Sequence, residues 1–213
     1  MAKRYLIKFI KERYLDDFLN NFLYMNAAGF FADEAIKNGQ GDIYECPASN
    51  SYQIFQGRNY PIWCCSYIEE DEIKNGYISF DKRIISDFFD TNDSFCCVII
   101  EEKQFAELFS KSAKDNYISV YSYEYGPVDY IKLSSDNKND AIQILSSKNK
   151  LEALFRKRSD YAYQKEYRIA FGYSVYRNGE FYPYKYTMHG IGNIAKVVKE
   201  YVCDSEKVYI KFV

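Results

Sequence analysis

The alternation of apolar and polar residues divides the chain into short segments. Period-two or continuous apolar runs predict strands at Tyr5–Ile10, Leu23–Met25, Ser51–Phe55, Pro61–Ile68 and Phe95–Ile100. Helical spacing places Tyr14, Leu15, Phe18, Leu19 and Phe22 on one face of a helix over Lys11–Asn21. A turn and short helix follow over Asn26–Asn38, and Gly39–Asp42 breaks the pattern. Asp81 reads as the cap of a helix over Lys82–Phe89, with Ile84, Ile85, Phe88 and Phe89 as its stripe. Glu101–Ala113 reads as a helix with Phe105, Leu108 and Phe109 inward. Tyr117–Tyr125 and Val128–Leu133 predict a strand pair across Gly126-Pro127, and 134–150 runs from a polar start into a helix. Tyr161–Phe171 reads as a strand, and Asn178-Gly179 marks a two-residue hairpin turn after Tyr173–Arg177. Gly190–Val202 predicts a helix with Ile194, Val197, Val198 and Tyr201 on one face, and Val208–Val213 a last strand. Strands outnumber helices and fall in hairpin-like pairs. The expectation is a single α+β domain over 1–213, its sheet mixed or mainly antiparallel with helices packed on it.

Composition narrows the function classes. A chain of 213 residues can bury a sizeable core, and 47% hydrophobic with 27% charged residues is a globular balance. Aromatics are the departure, with 23 Tyr, 16 Phe and 1 Trp. Such rings suit pleated sheet, and Tyr also suits a cleft or a protein interface. A net charge of -2 argues against a protein that lives on non-specific nucleic-acid binding. The six cysteines include the adjacent pairs Cys64-Cys65 and Cys96-Cys97; on strands, neighbours face opposite ways and cannot converge on a metal. With His189 as the single histidine and no C-x-x-C spacing, no metal site is expected. Free thiols and the lack of an apolar leader or an 18-residue apolar run lead to an expected cytoplasmic location with no membrane contact.

The most chemically pointed stretch is Gln164-Lys165-Glu166-Tyr167-Arg168. On a strand, Gln164, Glu166 and Arg168 line one side, about 6 to 7 Å apart, against Tyr163, Tyr167, Ile169 and Phe171 on the other. A carboxylate on a rigid strand can stabilise positive charge developing at a sugar C1. The same row can equally be an ion pair of the architecture, Arg168 neutralising Glu166. Lys148, Lys150, Arg156, Lys157 and Arg158 lead into Tyr161 and Tyr163, a candidate for single-stranded nucleic acid or the solvated face of a helix. His189 reads as a strand-end or helix-cap residue. Gly190-Ile191-Gly192-Asn193 reads as either an anion-accepting helix start or a tight turn, and Glu69-Glu70-Asp71-Glu72 as a solvated loop.

Two resemblances attach to these residues. Tyr5-Leu6-Ile7-Lys8-Phe9, Leu23-Tyr24-Met25-Asn26, Phe30-Phe31-Ala32-Asp33, Asp42-Ile43-Tyr44-Glu45 and Tyr163-Gln164-Lys165-Glu166-Tyr167-Arg168 together resemble a widespread bacterial and phage family of unknown function. Its late strand reads Tyr-Glu-x-Glu-Trp-Arg. Gln164 replaces the first Glu of that strand, and an Asn-Asp-Pro turn of the family is missing. Gln164-Lys165-Glu166 is also similar to the Q-x-E motif of ADP-ribosyltransferase-like folds. That resemblance implies NAD as substrate, with Glu166 on the nicotinamide ribose, Gln164 orienting the acceptor and Ser66 as the middle-strand serine. Arg4 or Lys8 would hold the diphosphate, with Arg168 beside them in cofactor binding.

Three functions therefore stand as expectations: an ADP-ribosyltransferase-like protein using or binding NAD, in phage–bacterium conflict; a non-catalytic module that binds a protein partner through a Tyr-rich surface, as a phage- or defence-associated inhibitor; and, with less support, a nucleic-acid-binding or processing protein.

Overall fold

The computed structural model describes residues 3–31, 59–89, 93–116, 118, 122–132, 151–173, 175–177 and 180–212. Within them the fold is α+β, as expected. The expected strand at Ser51–Phe55, the Gly39–Asp42 break, the 134–150 segment and the Asn178-Gly179 turn lie outside the described residues.

The chain enters as β1 (Arg4–Lys11), a 3-10 turn (Glu12–Tyr14), α1 (Leu15–Leu19), β2 (Phe22–Ala27) and α2 (Ala28–Phe31). The central run is β3 (Pro61–Glu69), β4 (Tyr77–Asp81), α3 (Arg83–Phe88), β5 (Phe95–Glu101) and α4 (Glu102–Asp115). Next come β6 (Tyr123–Pro127), β7 (Asp129–Ile131), a 3-10 turn (Glu152–Phe155), β8 (Arg156–Arg158), a second 3-10 stretch (Ser159–Gln164) and β9 (Glu166–Phe171). The chain closes with β10 (Tyr176–Arg177), β11 (Glu180–Phe181), β12 (Tyr184–Thr187), α5 (Ile191–Ile194), β13 (Lys196–Val198), β14 (Tyr201–Cys203) and β15 (Lys207–Lys211).

An eight-stranded sheet carries the order β12-β2-β3-β1-β5-β13, with β9 on β3 and β6 on β9. β5 lies between β1 and β13 in this order, and its residues Phe95–Ile100 are all buried, as a continuous apolar run requires. Among the described residues every pairing is antiparallel except the short β7–β8 ladder. Pro127 does not break β6. It sits at the end of an edge strand, where its missing N–H costs no ladder bond.

Strand alternation sorts the side chains into two cores. One face of the sheet presents Leu6, Trp63, Cys65, Tyr167, Ile169 and Phe171 to Phe105 and Phe109 of α4. The opposite face presents Ile7, Ile68, Cys97 and Ile99 to the β14-β15-β4 sheet through Ile78, Phe80, Val208 and Ile210. Adjacent cysteines do point to opposite faces: Cys65 lies in the α4-side core and Cys64 packs on the other side beside Leu154 and Phe155.

β3 divides one of its edges between two partners. Ser66 pairs with Ile7 and with Glu166, while Ile62 pairs with Asn26 and with Ala170. β1 and β2 therefore share the edge away from β9, and they part around Trp63–Cys65. Lys8 bridges the parting: its Nζ donates to the Cys64 carbonyl at 2.6 Å. The Trp63 indole fills the space beneath, stacked on Phe18 and Phe105.

The helix expected over Gly190–Val202 is instead the single turn α5 followed by two strands. Ala195 turns extended (φ -87°, ψ 129°), and Lys196–Val198 then pairs with Cys97–Ile99 of β5. The β-branched Val197, Val198 and Val202 favour that outcome once an open β5 edge is offered. The expected Lys11–Asn21 helix is shorter for a related reason, since β1 extends through Lys11 along Phe95. Asp81 is not the cap expected of it: it ends β4, Lys82 takes the N-cap position of α3 without a side-chain cap hydrogen bond, and Asp81 Oδ1 accepts the Arg83 N–H at 2.9 Å from one residue further back.

Candidate functional site

The site is built on the side of β3 and β9 that faces away from α4. Along β3 this side reads Ile62, Cys64, Ser66, Ile68, so two polar or thiol positions fall between two apolar ones. The register sets Ser66 opposite Glu166 and Cys64 opposite Arg168. The alternation expected for Glu166 and Arg168 against Tyr167, Ile169 and Phe171 holds, but the strand begins only at Glu166. Ser159–Gln164 coils into a 3-10 stretch, and Lys165 adopts a left-handed conformation (φ 44°, ψ 54°). Three hydrogen bonds hold this corner: Lys165 N–H to the Ala162 carbonyl, Tyr67 N–H to the Lys165 carbonyl, and Ser66 Oγ to the Gln164 carbonyl at 2.7 Å. Lys165 Nζ also pairs with Glu72. The corner folds the Gln164 side chain back toward Glu166 although the two are not on one strand.

Glu166 is the centre of a buried ionic cluster. Arg168 grips it in a fork, Nε to Oε1 at 2.8 Å and Nη2 to Oε2 at 2.9 Å. Lys157 Nζ donates to Glu166 Oε2 at 3.2 Å and to Gln164 Oε1 at 2.9 Å. Arg168 Nη1 donates to the Leu154 carbonyl, and the Glu166 N–H donates to Tyr130 Oη at 2.8 Å. Glu166 is 8% exposed, Lys157 4%, Gln164 3% and Arg168 1%. Burial by itself would raise the Glu166 carboxyl pKa. The Arg168 and Lys157 charges outweigh that and hold it far below the usual carboxylate range. Burial pushes the Tyr130 phenol up, so it stays a neutral hydroxyl.

Of the sequence-derived site residues, Gln164, Glu166, Arg168 and Ser66 meet. Arg4 and Lys8 do not join them. Both project with Leu6 toward α4, on the opposite face of the sheet. Arg4 is held by Glu69 (Nη2–Oε1 2.7 Å) and Glu102 (3.3 Å) and lies 4.9 Å from the Tyr67 ring centre. Lys8 Nζ sits 5.3 Å from the Trp63 ring centre.

Two cluster members, Lys157 and Tyr130, lie outside the site residues expected from the sequence. Lys157 belongs to the basic segment, and β8 turns it inward between Arg156 and Arg158. Period-two alternation within Arg156-Lys157-Arg158 carried that signal. The flanking arginines are engaged: Arg156 with Glu152 at 2.6 Å, Arg158 with Asp160 at 3.4 Å. Lys148 and Lys150 lie outside the described residues. The acidic run is a capped 3-10 turn tied to Arg4 and Lys165 rather than a free loop. His189 is exposed just before α5. The Gly190 N–H donates to Asn21 Oδ1 at 2.7 Å, which makes 190–193 a packed turn. Among the described residues no group of His, Cys, Asp and Glu could hold a metal. Burial pushes the Cys96 thiol up to about 11. No helix among these residues is long and apolar enough to cross a membrane.

No family model, curated protein or solved structure matches this chain.

Proposed function

We propose that this chain is a non-catalytic protein-binding module, the Glu166 cluster serving as an internal ionic staple. The observation that carries the reading is the state of Glu166: both oxygens are engaged by Arg168, one also by Lys157, and the carboxylate is buried. A carboxylate that stabilises a developing cation must meet that cation, and two resident cations already take that role. Outside the cluster the surface offers Tyr14, Tyr24, Tyr77, Tyr125, Tyr182 and Tyr201. Exposed tyrosines supply large rigid contact area at low entropic cost, the property that enriches them at interfaces. A setting in phage–bacterium conflict is part of the same proposal.

An ADP-ribosyltransferase-like reading is favoured by one observation, the convergence of Gln164 Oε1 and Glu166 Oε2 on a single point with Ser66 alongside. It requires Lys157 to leave and a diphosphate site formed without Arg4 and Lys8. Incubation of the protein with NAD decides between the two. The binding-module reading expects no thermal stabilisation by NAD and no nicotinamide release. Release that disappears in Glu166→Gln would overturn it in favour of the transferase.

A further inference from the structure

We infer that the outer edge of β14 docks an extended strand of a partner protein, apolar at its centre and carrying Lys or Arg at both ends. Among the described residues β14 pairs with β15 alone, and it ends the β14-β15-β4 sheet. The ladder fixes where its main-chain groups point. The Asp204 N–H donates to the Lys207 carbonyl at 3.0 Å, and the Lys211 N–H to the Glu200 carbonyl at 3.4 Å. Hydrogen-bonded pairs alternate along an antiparallel ladder, so Val202, between Glu200 and Asp204, also turns its main-chain groups toward β15. Tyr201 and Cys203 turn theirs outward, a row of N–H and carbonyl groups that an added strand can pair.

The side chains define the occupant. Tyr201 is 41% exposed and Val202 64%, with Cys203 exposed beside them. Alternation places Glu200, Val202 and Asp204 on the outer face with Tyr209, and Tyr201 on the inner face, stacked on Phe95 at 4.4 Å. The outer face of the edge therefore reads acid, apolar, acid. Glu200 pairs with Lys211 at 3.2 Å and keeps its side chain 77% exposed. Asp204 accepts the Glu206 and Lys207 N–H groups and the Tyr209 hydroxyl, and it too is exposed. Residues directly opposite share a face. An antiparallel strand with an apolar residue across from Val202 thus brings the positions two before and two after it against Asp204 and Glu200, where cations complement both. A second copy of this chain does not fit, because β14 paired with itself about Val202 sets Glu200 opposite Asp204 twice. The inference rests on the protein-binding reading for the nature of the partner. Nicotinamide release would overturn that reading, whereas edge pairing is measured with a synthetic strand and no NAD.

The exposed Cys203 thiol is the handle for the test. The full natural chain is equilibrated in mercaptoethanol with the peptide acetyl-Lys-Cys-Val-Tyr-Lys-amide, whose cysteine falls opposite Cys203 when its valine faces Val202. At such a hydrogen-bonded pair the Cα atoms stand about 5.5 Å apart, within disulfide reach. Conjugation at Cys203 is read by mass spectrometry of the digested protein. Three further peptides carry Glu for both Lys, an N-methyl on the tyrosine amide that would face β14, or an N-methyl on the valine amide that would face away. The parent and the valine-methylated peptide are expected to conjugate alike. The tyrosine-methylated and acidic peptides should each conjugate with an equilibrium constant about tenfold smaller. Tyrosine methylation without effect overturns the strand pairing, and equal or better conjugation of the acidic peptide overturns the basic partner. Sedimentation of the free chain covers the remaining occupant. Cys203→Pro removes an outward N–H and spares the β15 ladder, so a dimer that this variant abolishes would assign the edge to a second copy and overturn the inference.

Discussion

At the scale of single residues, the energetics turn on Glu166. Its folded-state pKa is depressed, so its contribution is fully present above the unfolded-state value near 4.5 and is lost as pH falls from there toward the much lower folded value. The natural chain should therefore lose stability progressively on acidification below about pH 4.5. Glu166→Gln leaves Arg168 and Lys157 buried around a neutral amide, which should cost about 3–5 kcal/mol at pH 7. The gap between the two proteins should narrow in acid, because the variant has no such carboxylate left to protonate. Urea unfolding at several pH values measures both. A gap that stayed constant from pH 7 to pH 3 would show that Glu166 is not ion-paired in solution. The pairing of Glu166 with Arg168 was legible in the sequence, since a spacing of two on a buried strand puts them side by side. Lys157 was not legible as a partner. It arrives from another strand, and nothing local distinguishes an inward lysine from its outward arginine neighbours except the alternation itself.

Among the elements, the segments with one unambiguous period were readable and those with two were not. Phe95–Ile100 is apolar throughout and short, which suits only a buried strand, and α4 has Phe105 and Phe109 four apart with Glu107 between them on the other face. Ile194, Val197, Val198 and Tyr201 also satisfy a helical period, yet α5 stops at Ile194 because the free edge of β5 captures the next residues. The faces of Arg4 and Lys8 could not be read either, because they depend on the register of β1 against β3, a long-range fact. The turn before β13 is the tightest point of this region. Gly190 has φ +95°, and a Cβ built on Gly192 would stand 2.7 Å from the Leu19 carbonyl oxygen at the end of α1. Backbone cannot yield as a side chain tip can, so Gly192→Ala should destabilise by about 1–3 kcal/mol. Gly126→Ala, where nothing lies within 4 Å, should stay within about 0.5 kcal/mol. Paired urea midpoints test the contrast, and equal midpoints would mean that α1 and α5 do not pack as described.

For the whole molecule, the consequence of the divided β3 edge is that two cores on opposite faces share one set of strands. Successive residues of β1, β3 and β5 serve one core and then the other, so neither core can be dismantled while the other keeps its register. Trp63, the single tryptophan, lies at the parting of β1 and β2, 2% exposed, with ring centres of Phe105 and Phe18 at 5.2 and 6.4 Å. Its fluorescence reports the α4-side core, whereas far-UV circular dichroism reports the sheet as a whole. The two signals should unfold with the same midpoint and slope. Lys8→Met removes the donor that satisfies the Cys64 carbonyl and should move both midpoints together by about 1–3 kcal/mol. Were Trp63 fluorescence to change well before the circular dichroism signal, the α4-side core would be opening by itself. The parting between β1 and β2 would then be a hinge between two separately stable halves rather than a strut within one cooperative unit.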